Sequence, residues 1–498
     1  MKPNHTLLAC AVAMTVPAVT LADKTIDNRE LYTGQYRVQQ EQITDHQYSR
    51  QELRLAGRRM FTNPFTKPEG YGDGDDNPPS QTPGSNHEGE RGSIQGNGTF
   101  QRINGLDAQT CLECHSVISR RTQPMKFGVG GVGGVNNTVL GAGGSTFVDL
   151  TTQNKQQNIN GRVINPPFIF GAGGIEQLAK EMTRTLNAQL NAAGPGQTVD
   201  LVAKGVSFGT VTKDADGNVV VDENGNAVGV EGVFDAHPVV NGVANTDFLV
   251  VAPFGRKGDA KSTRTFDIGA LSFHFGMQVG PGDADNDGVS NEVTDGELSA
   301  LSVFVATAQT PFQSKPDHEA HRGQRLLAST GCTACHIPKM ETDSKILGFT
   351  FPEIGNNPDA NVYYSVDLTK APMHFEENDK GGITVELFAD LKRHYMGPSL
   401  ANFKGDAMFT TMRLWGVADT APYLHDGRAL TIKDAILLHG ADPESEAFDA
   451  VNNFKGLSVA DQNAILAFLD TLRSPDGTNE DLDDLAFKVA KQQGVQPK

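Results

Sequence analysis

Two copies of one five-residue pattern constrain this chain more than anything else in it: Cys111-Leu-Glu-Cys114-His115 and Cys332-Thr-Ala-Cys335-His336. Paired thiols with an imidazole directly after the second suit covalent attachment of haem. The sulfurs form thioethers with the vinyl groups, and the histidine lies under the iron as proximal ligand. A zinc site split over two distant CxxC pairs, two structural disulfides or thioredoxin-like redox pairs would use the same cysteines. None of these requires a histidine after both pairs. The spacing therefore predicts two covalently bound c-type haems.

The N-terminal stretch MKPNHTLLACAVAMTVPAVTLADK has Lys2, an apolar run from Leu7 to Leu21, and Ala22 before a charged segment. It reads as a secretory signal peptide over residues 1–22, which places the mature chain in the periplasm. Cys10, in LLAC, resembles a lipoprotein cleavage box, but only three apolar residues precede it. No other run is long enough to cross a bilayer. Sixty acidic against 42 basic residues give a net charge of −18. That argues against nucleic acid and anionic membrane as partners, since both call for a basic surface. An acidic surface suits docking of a small basic electron-transfer protein, although most such surfaces only maintain solubility.

The expected fold is mainly α, with two tandem cytochrome c-like haem domains, long loops and a β-rich insertion. The first domain covers residues 23–311 and the second 312–475, with a polar tail over 476–498. RQELRLAGRRM (Arg50–Met60) reads as a helix. Pro64–Gly98 and the glycine-rich 125–146 read as loop, the latter lacking the strand-then-helix context of a dinucleotide site. Between 197 and 250, β-branched runs alternate with turns such as DADG and DENG, which predicts hairpins. A weak internal repeat supports the two halves. Glu297–Pro311 and Asp461–Pro475 match without gaps at Ala300/Ala464, Phe304/Phe468, Thr307/Thr471 and Pro311/Pro475. Each haem motif is thus followed by a similar closing helix.

A haem with one proximal histidine leaves its other face to a distal group that decides its role. In TIKDAILLHG, Ile432, Ala435, Ile436 and His439 share a helix face, so His439 points inward as a candidate sixth ligand. His274, in TFDIGALSFHFG, is the matching residue of the first half when Thr265 is aligned with Thr431. The bland reading of either is a buried histidine bonded to a carbonyl. Met396, His394, Met125 and Met277 are further candidates, although methionine more often packs than ligates. Asp283, Asp285 and Asp287, followed by Gly288 and Glu292, form a D-x-D-x-D-G loop able to wrap calcium. A solvated acidic turn is the alternative, because Thr294 stands where the usual twelfth-position glutamate would be.

The paired CxxCH motifs, RLWGVADTAPYLHDGRALTIKDAILLHG, NPPFIFGAGGIEQL (Asn165–Leu178) and FGRKGDA (Phe254–Ala260) resemble the bacterial di-haem oxidoreductase family. That family is similar to di-haem cytochrome c peroxidases and MauG-type enzymes. The resemblance covers roughly residues 50–475, least around 197–250. It implies a peroxidase-like enzyme in which a donor such as a cytochrome feeds electrons through the C-terminal haem to a reactive N-terminal haem. Peroxide or another small oxidant is the implied substrate. It also implies calcium between the domains, and a role for Trp415, the only tryptophan, in passing electrons between haems. His439 stands where the related peroxidases carry a methionine. The first half has no histidine between His115 and His237, where they keep a displaceable ligand. His274 becomes either that displaceable ligand or a pocket acid–base group. Two other functions fit the same residues: an electron carrier with both haems bis-histidine, and a haem-dependent oxygenase or oxidase of a protein or polymer.

Overall fold

In the computed structural model, residues 37–62, 65, 69–71, 110–111, 115, 145–147, 157–159, 165–283, 288–401 and 407–476 are described. The signal peptide, Cys10, Cys114, Met125, Asp285, Asp287 and the tail beyond residue 476 lie outside them. The helices are α1 (Gln40–Thr44), α2 (Arg50–Thr62), α3 (Ala172–Ala192), α4 (Thr263–Ala270), α5 (Asp295–Ala306), α6 (His318–Ser329), α7 (Ile432–His439), α8 (Phe448–Gly456) and α9 (Val459–Leu469). Helix accounts for 34% and strand for 17% of the described residues. The structure is therefore richer in strand than a mainly α framework with one β insertion.

Most of the strands fall in two regions. Thr198–Ala203 pairs antiparallel with Val206–Thr212 inside the expected hairpin segment. Lys204 (φ 50°) and Gly205 (φ 81°) make the left-handed two-residue turn that matches strand twist. In the DADG and DENG turns, Asp214 and Asp222 accept backbone N–H groups two and four residues on, at 2.8–2.9 Å. The second region, not anticipated, runs from Met340 to Thr410. There Ile346–Thr350 pairs with Val362–Asp367, and Arg393–Tyr395 with Met408–Thr410.

The repeated closing helices are α5 and α9, and the same contact recurs on each. α5 opens with a capping box of Thr294 and Glu297, and α9 is capped by Ser458. α5 packs against α2 and α9 against α6. A methyl group added to Gly57 of α2 would lie 2.0 Å from the Ala300 carbonyl oxygen. On Gly323 of α6 it would lie 1.8 Å from that of Ala464. Glycine is thus required at both crossings, each time opposite the repeated alanine. Thr307 and Thr471 also match, each hydroxyl donating back to a carbonyl of its own helix, Val303 O at 2.5 Å and Phe468 O at 2.6 Å.

Two apolar cores result. The larger takes in α2, α3 and α5, residues of the 340–391 segment, and Trp415; the smaller joins α6, α9, Phe388 and Val417. Residues 340–391, which the sequence places in the second half, therefore contribute to the core of the first. Phe312–Gln313, near the expected boundary, pairs with Leu472–Arg473 and ties the start of the second half to its end. Among the described residues, no helix is long and apolar enough to cross a membrane.

Candidate haem sites

Both CxxCH motifs close the same turn: His115 N–H donates to Cys111 O at 2.8 Å, and His336 N–H to Cys332 O at 3.0 Å. That turn brings Cys111 beside His115 and Cys332 beside His336. Cys111 packs on the larger core and Cys332 on the smaller, and Cys111, Cys332 and Cys335 carry no disulfide. Each imidazole is then held the same way. His115 Nδ1 donates to Pro167 O at 2.8 Å, and His336 Nδ1 to Phe388 O at 2.9 Å. In both cases the carbonyl lies 52 residues further along the chain. A carbonyl on Nδ1 fixes the proton there and leaves Nε2 with its lone pair for a metal. Phe388 reaches this position in a left-handed conformation (φ 53°) rare for a bulky residue.

At the C-terminal site a second histidine faces the first. α7 ends on His439, whose Nδ1 donates to Ala435 O at 2.7 Å, so its Nε2 is also available. The His336 and His439 ring centroids lie 6.5 Å apart. Two imidazoles on opposite faces of one iron, with metal–nitrogen bonds of about 2 Å, have centroids about 6.3 Å apart. Between and around them is a cavity of about 310 Å³ walled by Cys332, Cys335, Leu414, Tyr423, Ile436 and other largely apolar groups. Such lining suits a flat apolar macrocycle. The donor set, the cavity and the spacing fit a haem here.

Burial holds the histidines neutral. It pushes His336 down to about 4 against the bond to Phe388, and His439, His394 and Asp390 add smaller effects. It pushes His115 down to about 4 against the bond to Pro167, with His274 and Arg413 lowering it further. It also lowers His439. Only the neutral ring ligates iron.

The surroundings of His115 are built differently. His115 lies between Phe61 (centroids 6.2 Å) and the edge of Phe266 on α4 (6.4 Å). His274 belongs to a π-helical turn, Leu271–Phe275, that continues α4, and it is close enough to act on His115 electrostatically. The helix phases differ from the sequence alignment. α4 is capped by Ser262, not Thr265, and α7 by Thr431. Both helices have eight residues; His439 ends its helix, whereas His274 lies beyond the end of α4 in the added turn.

Of the other candidates, His394 is no free ligand. Its Nε2 bonds Asp390 at 2.8 Å and its Nδ1 bonds Glu446 at 2.7 Å. Burial disfavours its charge, but Asp390 and Cys335 outweigh that and raise it to about 11. Met396 lines the C-terminal cavity, and Met277 is buried in the larger core. Of the acidic loop, Asp283 accepts Gly288 N–H at 3.0 Å, and the buried Glu292 accepts Gln278 N–H at 2.6 Å. Trp415 is buried over Gly171, where a methyl group would come within 2.7 Å of the indole. Gly171 caps α3 with φ 71°, which favours glycine a second time.

Three features lie outside the candidates that the sequence singles out. Pro167 and Phe388 act through carbonyls. The strap Asn165–Phe168 joins the two sites: Asn165 Nδ2 donates to Pro422 O at 2.8 Å and Leu424 O at 2.7 Å, and Asn165 N–H to His425 O at 2.8 Å. Pro167 and Phe168, on the same strap, wall the C-terminal cavity. Arg413, buried in that wall, donates to Phe168 O.

No curated protein sequence matches the chain. Among solved structures, hydrazine synthase from Kuenenia stuttgartiensis is 14% identical, with a TM-score of 0.26, covering 56% of this chain and 76% of that one. A MauG-like protein associated with microbial copper homeostasis is 16% identical, with a TM-score of 0.25, covering 60% and 88%. A family model described as "Di-haem oxidoreductase, putative peroxidase" matches residues 279–472, the stretch holding the second CxxCH, Trp415 and His439. Over that stretch, short of half its length, the chain is similar to the di-haem oxidoreductase family.

Proposed function

We propose that the chain is an exported di-haem c-type oxidoreductase of peroxidase-like character, built from two tandem cytochrome c-like halves. Electrons from a small donor protein enter at the C-terminal site and pass to a reactive N-terminal site. Haem, when bound, supplies one-electron redox chemistry and, where one face is open, reduction of peroxide. The observation that carries the reading is the contrast between the sites. The His336 and His439 rings lie 6.5 Å apart, centroid to centroid, whereas His274, which acts on His115 electrostatically, sits on a π-helical turn.

The chain's own residues have distinct tasks. Cys111, Cys114, Cys332 and Cys335 anchor the macrocycles. Pro167 and Phe388 hold His115 and His336 neutral and aimed. His439 closes the second face of its site and excludes a substrate there. His274 either withdraws as a displaceable ligand or moves a proton to a bound oxidant from its ring nitrogen. Trp415, packed at the junction of the halves, favours electron passage, and calcium at Asp283, Asp285, Asp287 and Glu292 stiffens the segment between His274 and α5.

Paramagnetic resonance of the oxidised and half-reduced protein tests this reading. One low-spin centre in all states, with a second that becomes high-spin and consumes peroxide after one-electron reduction, is the expected result. Two centres that stay low-spin throughout and ignore peroxide would make it an electron carrier.

A further inference from the structure

Arg413 is 5% exposed and forms part of the wall of the C-terminal cavity. Its Nη2 donates to the Phe168 carbonyl, its guanidinium lies 5.8 Å from the Phe168 ring centroid, and its Nε has no hydrogen-bond partner. Among the described residues it forms no ion pair with a carboxylate. The one carboxylate on the cavity wall, Glu446, is engaged by His394 Nδ1 at 2.7 Å and by Tyr395 N–H at 2.7 Å. Arg256, the other guanidinium on that wall, lies within electrostatic range of Asp259. A buried cation with one carbonyl and no counter-ion is costly, because desolvation outweighs a single neutral hydrogen bond. The planar fork of an arginine matches a carboxylate in two places.

We infer that Arg413 binds a carboxylate delivered with the cofactor, a propionate of the haem in the C-terminal cavity. The macrocycle is apolar except for its two propionates, and of the two guanidiniums on the mostly apolar cavity wall, Arg256 lies near Asp259 while Arg413 pairs with no carboxylate among the described residues. Pairing them neutralises both charges and fixes the rotation of the haem in its plane. The inference rests on the two-haem reading above. Burial of the unpaired guanidinium lowers Arg413 to about 10, the direction expected of a cation awaiting its anion. Arg413 also grips Phe168, beside the Pro167 carbonyl that holds His115. The propionate contact is therefore joined to the anchor of the other site.

The test compares the wild-type holoprotein with Arg413→Met and Arg413→Lys. The mass of each CxxCH peptide is read first; peptides without haem would overturn the two-haem reading itself, before any variant is made. With two haems present, the propionate-bending band in the resonance Raman spectrum and both midpoint potentials are measured. The inference expects Arg413→Met to shift that band and lower one potential, leaving the other near its wild-type value. Arg413→Lys keeps the charge but not the fork, so it retains most of the potential and still shifts the band. If Arg413→Met does not mature, the band in the Lys variant decides. An unmoved band and unmoved potentials would leave Arg413 a structural residue and overturn the inference. So would wild-type potentials that follow added inorganic phosphate while the band ignores both substitutions, since the occupant would then be a dissociable anion.

Discussion

Replacing His439 by methionine separates a ligand from a buried core histidine. The side chain contributes one hydrogen bond, Nδ1 to Ala435 O at 2.7 Å, worth about 0.5–1.5 kcal/mol net. Methionine is flexible enough to refill the space at a cost of roughly 1 kcal/mol. The variant should therefore lose on the order of 2 kcal/mol out of the 5–15 typical of a domain, and still fold. The redox effect is larger in kind. Axial ligation spans roughly 0.8 V across haem proteins, and thioether favours the ferrous state relative to imidazole. A rise on the order of 0.1 V is expected at one haem, about 2.4 kcal/mol or fifty-fold in the ferrous–ferric ratio for a one-electron couple. Spectroelectrochemical titration of both proteins reads it as one couple moved and one left in place. His439→Ala adds a control: one haem of the two becomes high-spin. Two couples unmoved by methionine, with spectra unmoved by alanine, would show that the 6.5 Å facing of His336 and His439 is a packing accident.

Asn165→Ala removes two hydrogen bonds, to Pro422 O and Leu424 O, and should cost about 2 kcal/mol while broadening the His115-ligated signal in paramagnetic resonance. Gly323→Ala places a methyl 1.8 Å from Ala464 O; parting α6 and α9 should cost about 3 kcal/mol, read as a lower urea midpoint with unchanged slope. Acid should destabilise the fold in a defined window. His115 and His336 sit at about 4 when folded against about 6.5 unfolded. Above 6.5 neither state binds the proton and the stability is complete. Between 6.5 and 4 only the unfolded chain takes it up, so stability falls, levelling off below 4. Both residues keep some exposure to solvent, so the loss is discounted to about 2 kcal/mol each, and iron ligation acts in the same direction. A urea midpoint independent of pH from 7 to 4.5 would refute it.

What the sequence makes legible is what local spacing controls. Cysteine and histidine four residues apart close one helical turn, so the shared turns at Cys111–His115 and Cys332–His336 follow directly. The phase of α7 likewise delivers His439 inward. The repeat locates α5 and α9, because the same small residue must meet a helix crossing at Ala300 and Ala464. Gly57 and Gly323 complete that crossing, yet a lone glycine inside a helix gives no hint of its partner across the core. His274 is harder to place, since the Thr265/Thr431 alignment assumes one helix type and α4 runs on into a π-helical turn. The strands between 340 and 410 escape notice because short segments such as RHY and MFT show too little alternation. Backbone carbonyls carry no residue signature at all, so the anchors at Pro167 and Phe388 emerge only from the folded chain.

Those anchors also govern how the sites can influence one another. Phe388, which holds His336, packs in the same small core as α6 and α9. Pro167, which holds His115, lies instead on the wall of the other site's cavity and on a strap tied to Pro422, Leu424 and His425. A shift of the 422–425 loop on reduction of the C-terminal haem would thus change the hydrogen bond at His115 Nδ1. A stronger bond there makes the imidazole a better donor to iron. Coupling free energy is reciprocal, so if reduction at the C-terminal site changes ligand binding at the N-terminal site, binding there would alter the C-terminal potential by the same amount. Asn165 is the side chain common to both directions. Its loss should shrink the two effects together, whereas a merely structural strap would weaken stability and leave each haem's response to the other unchanged.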